Sequence, residues 1–374
     1  MEQKWVNKFE AIFKNAQALA KKWKAANHKV VGWAIPDGPE ELVMASGAKP
    51  QALLGTEIPF SKADAHFQGF ACSYTRSLLE LLTSGQLDFY DALILPHTCD
   101  ALRAMDLVAK EQGGVKNVES YRPPRLRDNP ASRNYLMEEL SRLRKRLSEI
   151  TGHYATDEEI KQASASLNRL KDLLRGVKTE LKAGKASALE FFSAVQAAMS
   201  GDKQEVEGMV REFLVELKNR KPLPTKPEKI VLAGKVAEPL SLLEAIETAG
   251  FQVVDDLLVN GSRYVKSIVE LEQAPLQALA EAQLAKIPVA GMYDREQSRG
   301  ERIIRRVRRS GAKAVIFLVQ KFCEPYELEV VGVEEELTRA GIPMLKLESD
   351  YQSSSIAPLK TRIEAFAEML KAKA

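Results

Sequence analysis

Short unbroken runs of apolar residues alternate with helix-period stretches at both ends of the chain, whereas the middle carries the helical period alone. The runs "VVGWAIP" (Val30 to Pro36), "QALLG" (Gln51 to Gly55), "ALILPH" (Ala92 to His97) and "VKNVES" (Val115 to Ser120) are rich in β-branched residues and bounded by turn formers. Such runs suit strands buried on both faces of a parallel sheet. From "NPASRNYLMEELSRLRKRLSEITG" to about Lys221, leucines recur at spacings of three and four with no strand candidate, which predicts helices only. The polar, proline-rich "NRKPLPTKPEK" reads as a linker, after which "IVLAGK", "FQVVDDLLV", "AVIFLVQ" and "PMLKLES" restart the alternation. The predicted class is α/β: two doubly wound, mostly parallel-sheet units with a helical segment between them. The expected boundaries are 1–130 for an N-terminal α/β domain, 131–225 for the helical segment and linker, and 226–374 for a C-terminal α/β domain. Two units of similar size suggest a duplicated architecture, although no strong sequence repeat joins them.

Composition narrows the classes. The chain has 374 residues, 45% of them hydrophobic and 28% charged, which suits a globular protein of roughly two to three domains. A net charge of +3, from 54 basic and 51 acidic residues, gives no field that argues for nucleic acid or a membrane surface. The opening "MEQKWVNKFEAIFKNAQALAKKWKAANHK" reads as a charged amphipathic helix rather than a secretory signal, and no later run is long enough to span a bilayer. The expected location is the cytoplasm.

The three cysteines change the picture more than composition does. Cys72, Cys99 and Cys323 each fall where an apolar helical pattern begins, the last two directly after a strand-like run. Free amide N–H groups and the helix dipole at such positions stabilise a thiolate or an anionic group. A lone cysteine is ordinarily a small buried apolar residue; three at equivalent positions argue for ligation. They stand too far apart for a local Cys-x-x-Cys clip, so a shared metal would have to be assembled by the finished fold from both α/β units. Cysteine-only ligation favours an iron–sulfur cluster or zinc, and with three ligands a cubane keeps one exchangeable position. Zinc would want a fourth ligand, which the nearby His97 could supply.

The segments "PEELVMASGAKP" (Pro39 to Pro50), "FACSYTRSLLE" (Phe70 to Glu80), "HTCDALRAM" (His97 to Met105), "KFCEPYELE" (Lys321 to Glu329) and "TRIEAFAEML" (Thr361 to Leu370) together resemble the benzoyl-CoA reductase and 2-hydroxyacyl-CoA dehydratase family, in order and over nearly the whole chain. The resemblance implies that Cys72, Cys99 and Cys323 ligate a 4Fe-4S cluster. It also implies that the chain pairs with a related or identical subunit and that the pair acts on a coenzyme A thioester by single-electron radical chemistry. A separate ATP-hydrolysing iron–sulfur activator would deliver the electron. The sequence agrees in having no GxxxxGK[ST] or GxGxxG; the nearest approach, "LKAGKAS", lacks the first glycine. The first strand-to-helix loop offers Asp37 and Gly38 but no serine, and the modest length resembles the smaller of two paired subunits. The competing readings are a non-catalytic electron-transfer or metal- and sulfur-handling protein of the same fold, and a cluster-free α/β scaffold.

Several other residues admit two readings. His97, two positions before Cys99, is a candidate proton donor or a histidine satisfied by backbone at a strand end. Arginines 302, 305, 306, 308 and 309 could meet coenzyme A phosphates, but read first as a solvated helix face with Ile303, Ile304 and Val307 turned inward; "SRLRKRLSEI" reads the same way. Asp255 and Asp256 would line the cleft or cap a turn. Asp100 and Glu324, directly after ligand candidates, are expected to cap their helices.

Overall fold

The structure is a computed structural model that describes residues 2–224, 228–351 and 356–372. The opening helical pattern is two helices, α1 (Glu2–Lys14) and α2 (Ala16–Ala25), separated at Asn15, whose side chain bonds back to the Ala11 carbonyl at 2.7 Å. The first sheet then alternates with its helices: β1 (Val30–Ala34), α3 (Glu40–Ala45), β2 (Lys49–Leu53), α4 (Ser73–Thr83), β3 (Ala92–Pro96), α5 (Asp100–Gln112) and β4 (Val118–Tyr121). All four strands are parallel, in the order β2-β1-β3-β4.

The middle is helical, as its periodicity predicts: α6 (Pro130–Thr151), α7 (Asp157–Lys182), α8 (Ala188–Ser200) and α9 (Lys203–Asn219). The starts of α7 and α8 are reciprocal capping boxes, Thr156 with Glu159 and Ser187 with Glu190, which satisfy amide donors that would otherwise have no partner. The segment is woven into both flanking units. Trp5 and Phe9 of α1 pack against Phe213 of α9, the first tilted and the second edge-on, with ring centroids 5.2 and 5.5 Å apart. From α7, Lys171 reaches Glu41 of α3 at 3.0 Å and Lys178 reaches Asp255 at 2.6 Å. The basic run in α6 is not a plain solvated face. Leu143 and Leu147 are buried, Arg144 is buried and donates to the Ala155 carbonyl at 2.6 Å, and Arg146 pairs with Glu119 of β4 at 2.8 Å. Long arginine stems packed on apolar surface, with paired heads, account for the difference. After α9, the Leu223 amide bonds to the Gly184 carbonyl at 2.7 Å; residues 225–227 of the proline-rich stretch lie outside the described residues.

The second unit repeats the plan: β5 (Glu228–Gly234), α10 (Ser241–Thr248), β6 (Phe251–Asp256), α11 (Pro275–Ala285), α12 (Arg299–Ser310), β7 (Ala314–Gln320), α13 (Glu324–Arg339), β8 (Met344–Ser349) and α14 (Ala357–Ala372). Its strands are again all parallel, in the order β6-β5-β7-β8. Every residue of β3 and β7 is buried, which explains their continuous apolar runs. Each large apolar side chain so buried contributes about 1.5–3 kcal/mol. The order reverses between β1 and β3 in one sheet and between β5 and β7 in the other. The carboxyl ends of such strands are where open parallel sheets gather ligands.

Candidate functional site

All three cysteines stand at helix starts and line one cavity. Cys72 precedes α4, Cys99 follows β3 and precedes α5, and Cys323 follows β7 and precedes α13; each is the residue immediately before the first helical turn. Cys99 acts as a sulfur cap, its Sγ accepting from the Leu102 amide at 3.5 Å. The cavity, of about 450 Å³, is bounded by the three cysteines together with Phe67, Phe70, Ala104, Val108, Phe322 and Pro325. It reaches the surface, where Phe70 is 65% and Phe322 44% exposed. Phe322, directly before Cys323, has a φ of 63°, a left-handed conformation rare for so large a side chain and costing about 1–3 kcal/mol.

The helix starts correct one expectation. Asp100 and Glu324 occupy the first helical position and the cysteines take the cap, so neither acid caps its helix. Both acids are exposed and stand at the edge of the cavity.

Behind the sulfurs lies a buried cation that the sequence analysis does not single out. Lys235 directly follows β5, its Nζ 3.6 Å from Cys72 Sγ, 2.7 Å from Gln320 Oε1 and 4.9 Å from the Tyr74 ring centroid. Its placement depends on Gly234, whose φ is +112° and where an added Cβ would lie 2.0 Å from the Leu318 carbonyl oxygen. A charged residue straight after an apolar strand run and a glycine, in "IVLAGK", is the signal that could have found it.

The sulfurs and the ammonium shape one another's protonation. A hydrogen bond from the Cys323 thiol, with the Lys235 charge beside it, holds Cys72 well below the ordinary thiol range despite burial. Giving that hydrogen bond, together with burial, pushes Cys323 well up, and burial pushes Cys99 up. Burial works against the Lys235 charge, but the Cys323, Cys72 and Cys99 sulfurs more than offset it and hold the lysine above its ordinary range.

The other candidates fall elsewhere. The His97 ring turns away from the cavity towards Asp106, Nε2 to Oδ2 3.2 Å, while its backbone amide bonds to the Tyr121 carbonyl at 2.7 Å. Burial lowers its pKa, against the pull of Asp106. Asp37 is buried and bound by Arg263, 2.9 Å at each oxygen, with Lys286 at 3.3 Å. Asp256 caps a turn, accepting from the Leu258 and Ser262 amides at 3.0 and 2.7 Å. Asp255 pairs with Lys178 and Arg306, which hold its carboxyl well below the usual range although burial alone would raise it. On α12, Ile303 and Val307 are buried, and Arg305, Arg308 and Arg309 are exposed.

A larger cavity, of about 630 Å³, lies apart from the sulfurs and is lined by Gln51, Gln196, Ser200, Glu238 and Tyr351 among others. Glu238 accepts from Gln196 Nε2 at 3.0 Å, and burial pushes its carboxyl up to about 8.

Comparison with known proteins decides the lineage. The family model described as 2-hydroxyglutaryl-CoA dehydratase, D-component, matches residues 37–370. The chain belongs to this family. Among its relatives is the (R)-phenyllactyl-CoA dehydratase beta subunit of Clostridium sporogenes, 27% identical over 98% of this chain and 99% of that protein. One of the subunits of the benzoyl-CoA reductase of Thauera aromatica is 25% identical over 97% of each chain, and the (R)-2-hydroxyglutaryl-CoA dehydratase beta subunit of Acidaminococcus fermentans 26% identical over 98% of each. The family match takes in all three cysteines and Lys235.

The donor set fits an iron–sulfur cluster better than a structural zinc. Three thiols face one cavity, and the histidine that could have completed a zinc shell faces away from it. Among the described residues no three of His, Cys, Asp and Glu gather closely enough to hold a single metal ion. No helix among the described residues is long and apolar enough to cross a membrane.

Proposed function

We propose that this chain is a subunit of an enzyme acting on a coenzyme A thioester, of the 2-hydroxyacyl-CoA dehydratase or benzoyl-CoA reductase type, and that Cys72, Cys99 and Cys323 hold its 4Fe-4S cluster. The observation that carries the reading is that the chain's only three thiols, drawn from both sheets, each stand at a helix start and line a single cavity. Family membership and full-length relatives named as dehydratase and reductase subunits supply the reaction class. When bound, the cluster supplies single electrons at low potential. The chain's own part is to hold it by three thiolates at the positive ends of three helices. Lys235 faces the sulfurs from the protein side, and Phe67, Phe70, Val108 and Phe322 form an apolar wall that limits water. The partner is a related or identical subunit. The electron comes from a separate ATP-hydrolysing activator, because this sequence has no phosphate-binding loop of its own.

The test is anaerobic purification with iron, sulfide and co-purifying chains measured together, followed by assays of ATP hydrolysis and acyl-CoA turnover with and without a candidate activator. Bound iron and sulfide, with turnover only when activator and reductant are present, support the reading. Iron-free protein, or ATP hydrolysis by this chain alone, overturns it. A cluster without turnover on any acyl-CoA would favour the electron-transfer reading.

A further inference from the structure

We propose that Lys235 is the internal counter-cation of the three-cysteine site, fixed by the fold to offset the negative charge of a bound cluster and to raise its reduction potential. The inference rests on the reading of Cys72, Cys99 and Cys323 as cluster ligands and adds a tuning residue to it.

The first support is the company that Lys235 keeps. Other buried lysines are matched by carboxylates: Lys171 by Glu41 at 3.0 Å, Lys178 by Asp255 at 2.6 Å, and Lys203 by Glu40 at 2.7 Å. Lys235 is buried as well, yet among the described residues it pairs with no carboxylate. Its neighbours are the Cys72 sulfur, the Gln320 amide oxygen and the Tyr74 ring. A buried ammonium without a counter-anion is strongly unfavourable. Glu238 is near enough to feel the Lys235 charge but forms no ion pair with it among the described residues, and burial holds its carboxyl towards the neutral form, so the thiolates of the site are the groups left to supply negative charge.

The second support is how the ammonium is held. Gln320 ends β7, three residues before Cys323, and Tyr74 lies two residues after Cys72 on α4. Lys235 is therefore gripped by the two elements that deliver those sulfurs, and it also lines a small cavity of about 30 Å³ with Cys99 and Cys323. Such an arrangement fixes the distance between ammonium and sulfurs and keeps water from screening the charge.

The direction of the effect follows from electrostatics. Reduction adds negative charge to a cluster, and a fixed cation beside it stabilises the reduced form more than the oxidised one. An N–H group pointed at a ligand sulfur withdraws charge in the same sense. Lys235 therefore raises the potential, and a neutral side chain of similar size lowers it.

The experiment compares wild type with Lys235→Met, Lys235→Gln and Lys235→Arg, each purified anaerobically. Iron and sulfide per chain are measured, and the midpoint potential is read by a redox titration followed by electron paramagnetic resonance. The expected result is a more negative midpoint or reduced iron retention in both neutral variants, with Arg restoring values towards wild type. Neutral variants with wild-type iron and wild-type potential overturn the proposal, as does an Arg variant as impaired as Met, since packing rather than charge would then be at stake. Wild-type protein without iron or sulfide removes the underlying cluster reading, and that failure is distinguished because it shows before any variant is made.

Discussion

Arg263 holds Asp37 end-on with both terminal nitrogens of its guanidinium, 2.9 Å to each carboxylate oxygen, with both side chains only 3% exposed. The pair joins the loop after β1 to the turn after β6, so it ties one sheet unit to the other from within. Replacing Asp37 by Ala would leave Arg263 and Lys286 buried without their anion. A loss of about 3–5 kcal/mol is expected, read as a lower denaturant midpoint at unchanged slope. The double variant Asp37→Ala/Arg263→Ala should lose less than the two single losses added together. A single variant within about 0.5 kcal/mol of wild type would show that the pair holds nothing together.

Serine in place of any one of Cys72, Cys99 or Cys323 should reduce bound iron well below the roughly four atoms per chain that a 4Fe-4S cluster carries. Serine is similar in volume but a poor iron ligand, so the fold should persist. Iron analysis beside circular dichroism separates the two effects. Full iron in all three variants would rule these residues out as ligands.

Removing the metal should loosen the link between the units. Cys72 and Cys99 belong to the first sheet unit and Cys323 to the second, so the free energy of binding to the folded site becomes stability of the whole. Chelator-treated protein is expected to melt below untreated protein under strictly anaerobic conditions. Coincident melts would place the metal outside this junction.

Glu238 gives a stability dependence on pH. Its folded pKa of about 8 lies above the ordinary 4.5, so the folded chain keeps a proton that the unfolded chain releases. That contribution is fully present below about pH 4.5 and declines as pH rises towards 8, by at most about 1.4 kcal/mol per pH unit. Glu238→Gln retains a carbonyl oxygen for Gln196 and removes the titration. Its stability relative to wild type should rise steadily between denaturation measurements at pH 5 and pH 8. A constant difference would mean that Glu238 is ionised in the folded chain.

Much of this architecture is legible in the sequence because parallel strands buried on both faces leave unbroken apolar runs. "AVIFLVQ" and "ALILP" are strands wholly buried, and the register of helix-period leucines marks the middle segment. Cys99 and Cys323 can be placed at strand-to-helix junctions for the same reason, and Cys72 at the start of its helix. Other features stay hidden because they depend on residues far apart in the chain. Lys235 meets Cys72 only once both sheets stand together, and nothing local pairs Arg263 with Asp37. The direction of the His97 ring is set by Asp106 on the neighbouring helix, not by its nearness to Cys99 in sequence. Asp100 and Glu324 mislead for a local reason: acids suit a first helical turn as well as a cap, and periodicity does not separate the two positions.

The matching strand orders make β1 the counterpart of β5, and β3 the counterpart of β7. Cys99 and Cys323 thus occupy corresponding corners of two look-alike halves, while the corner after β5 holds Lys235 and its counterpart after β1 leads to the buried Asp37. Had each half kept the same residues, the junction would present an even set of thiols and a closed ring of ligands. Broken symmetry instead leaves three sulfurs and one ammonium, so a cubane seated there would have one corner that this polypeptide does not claim.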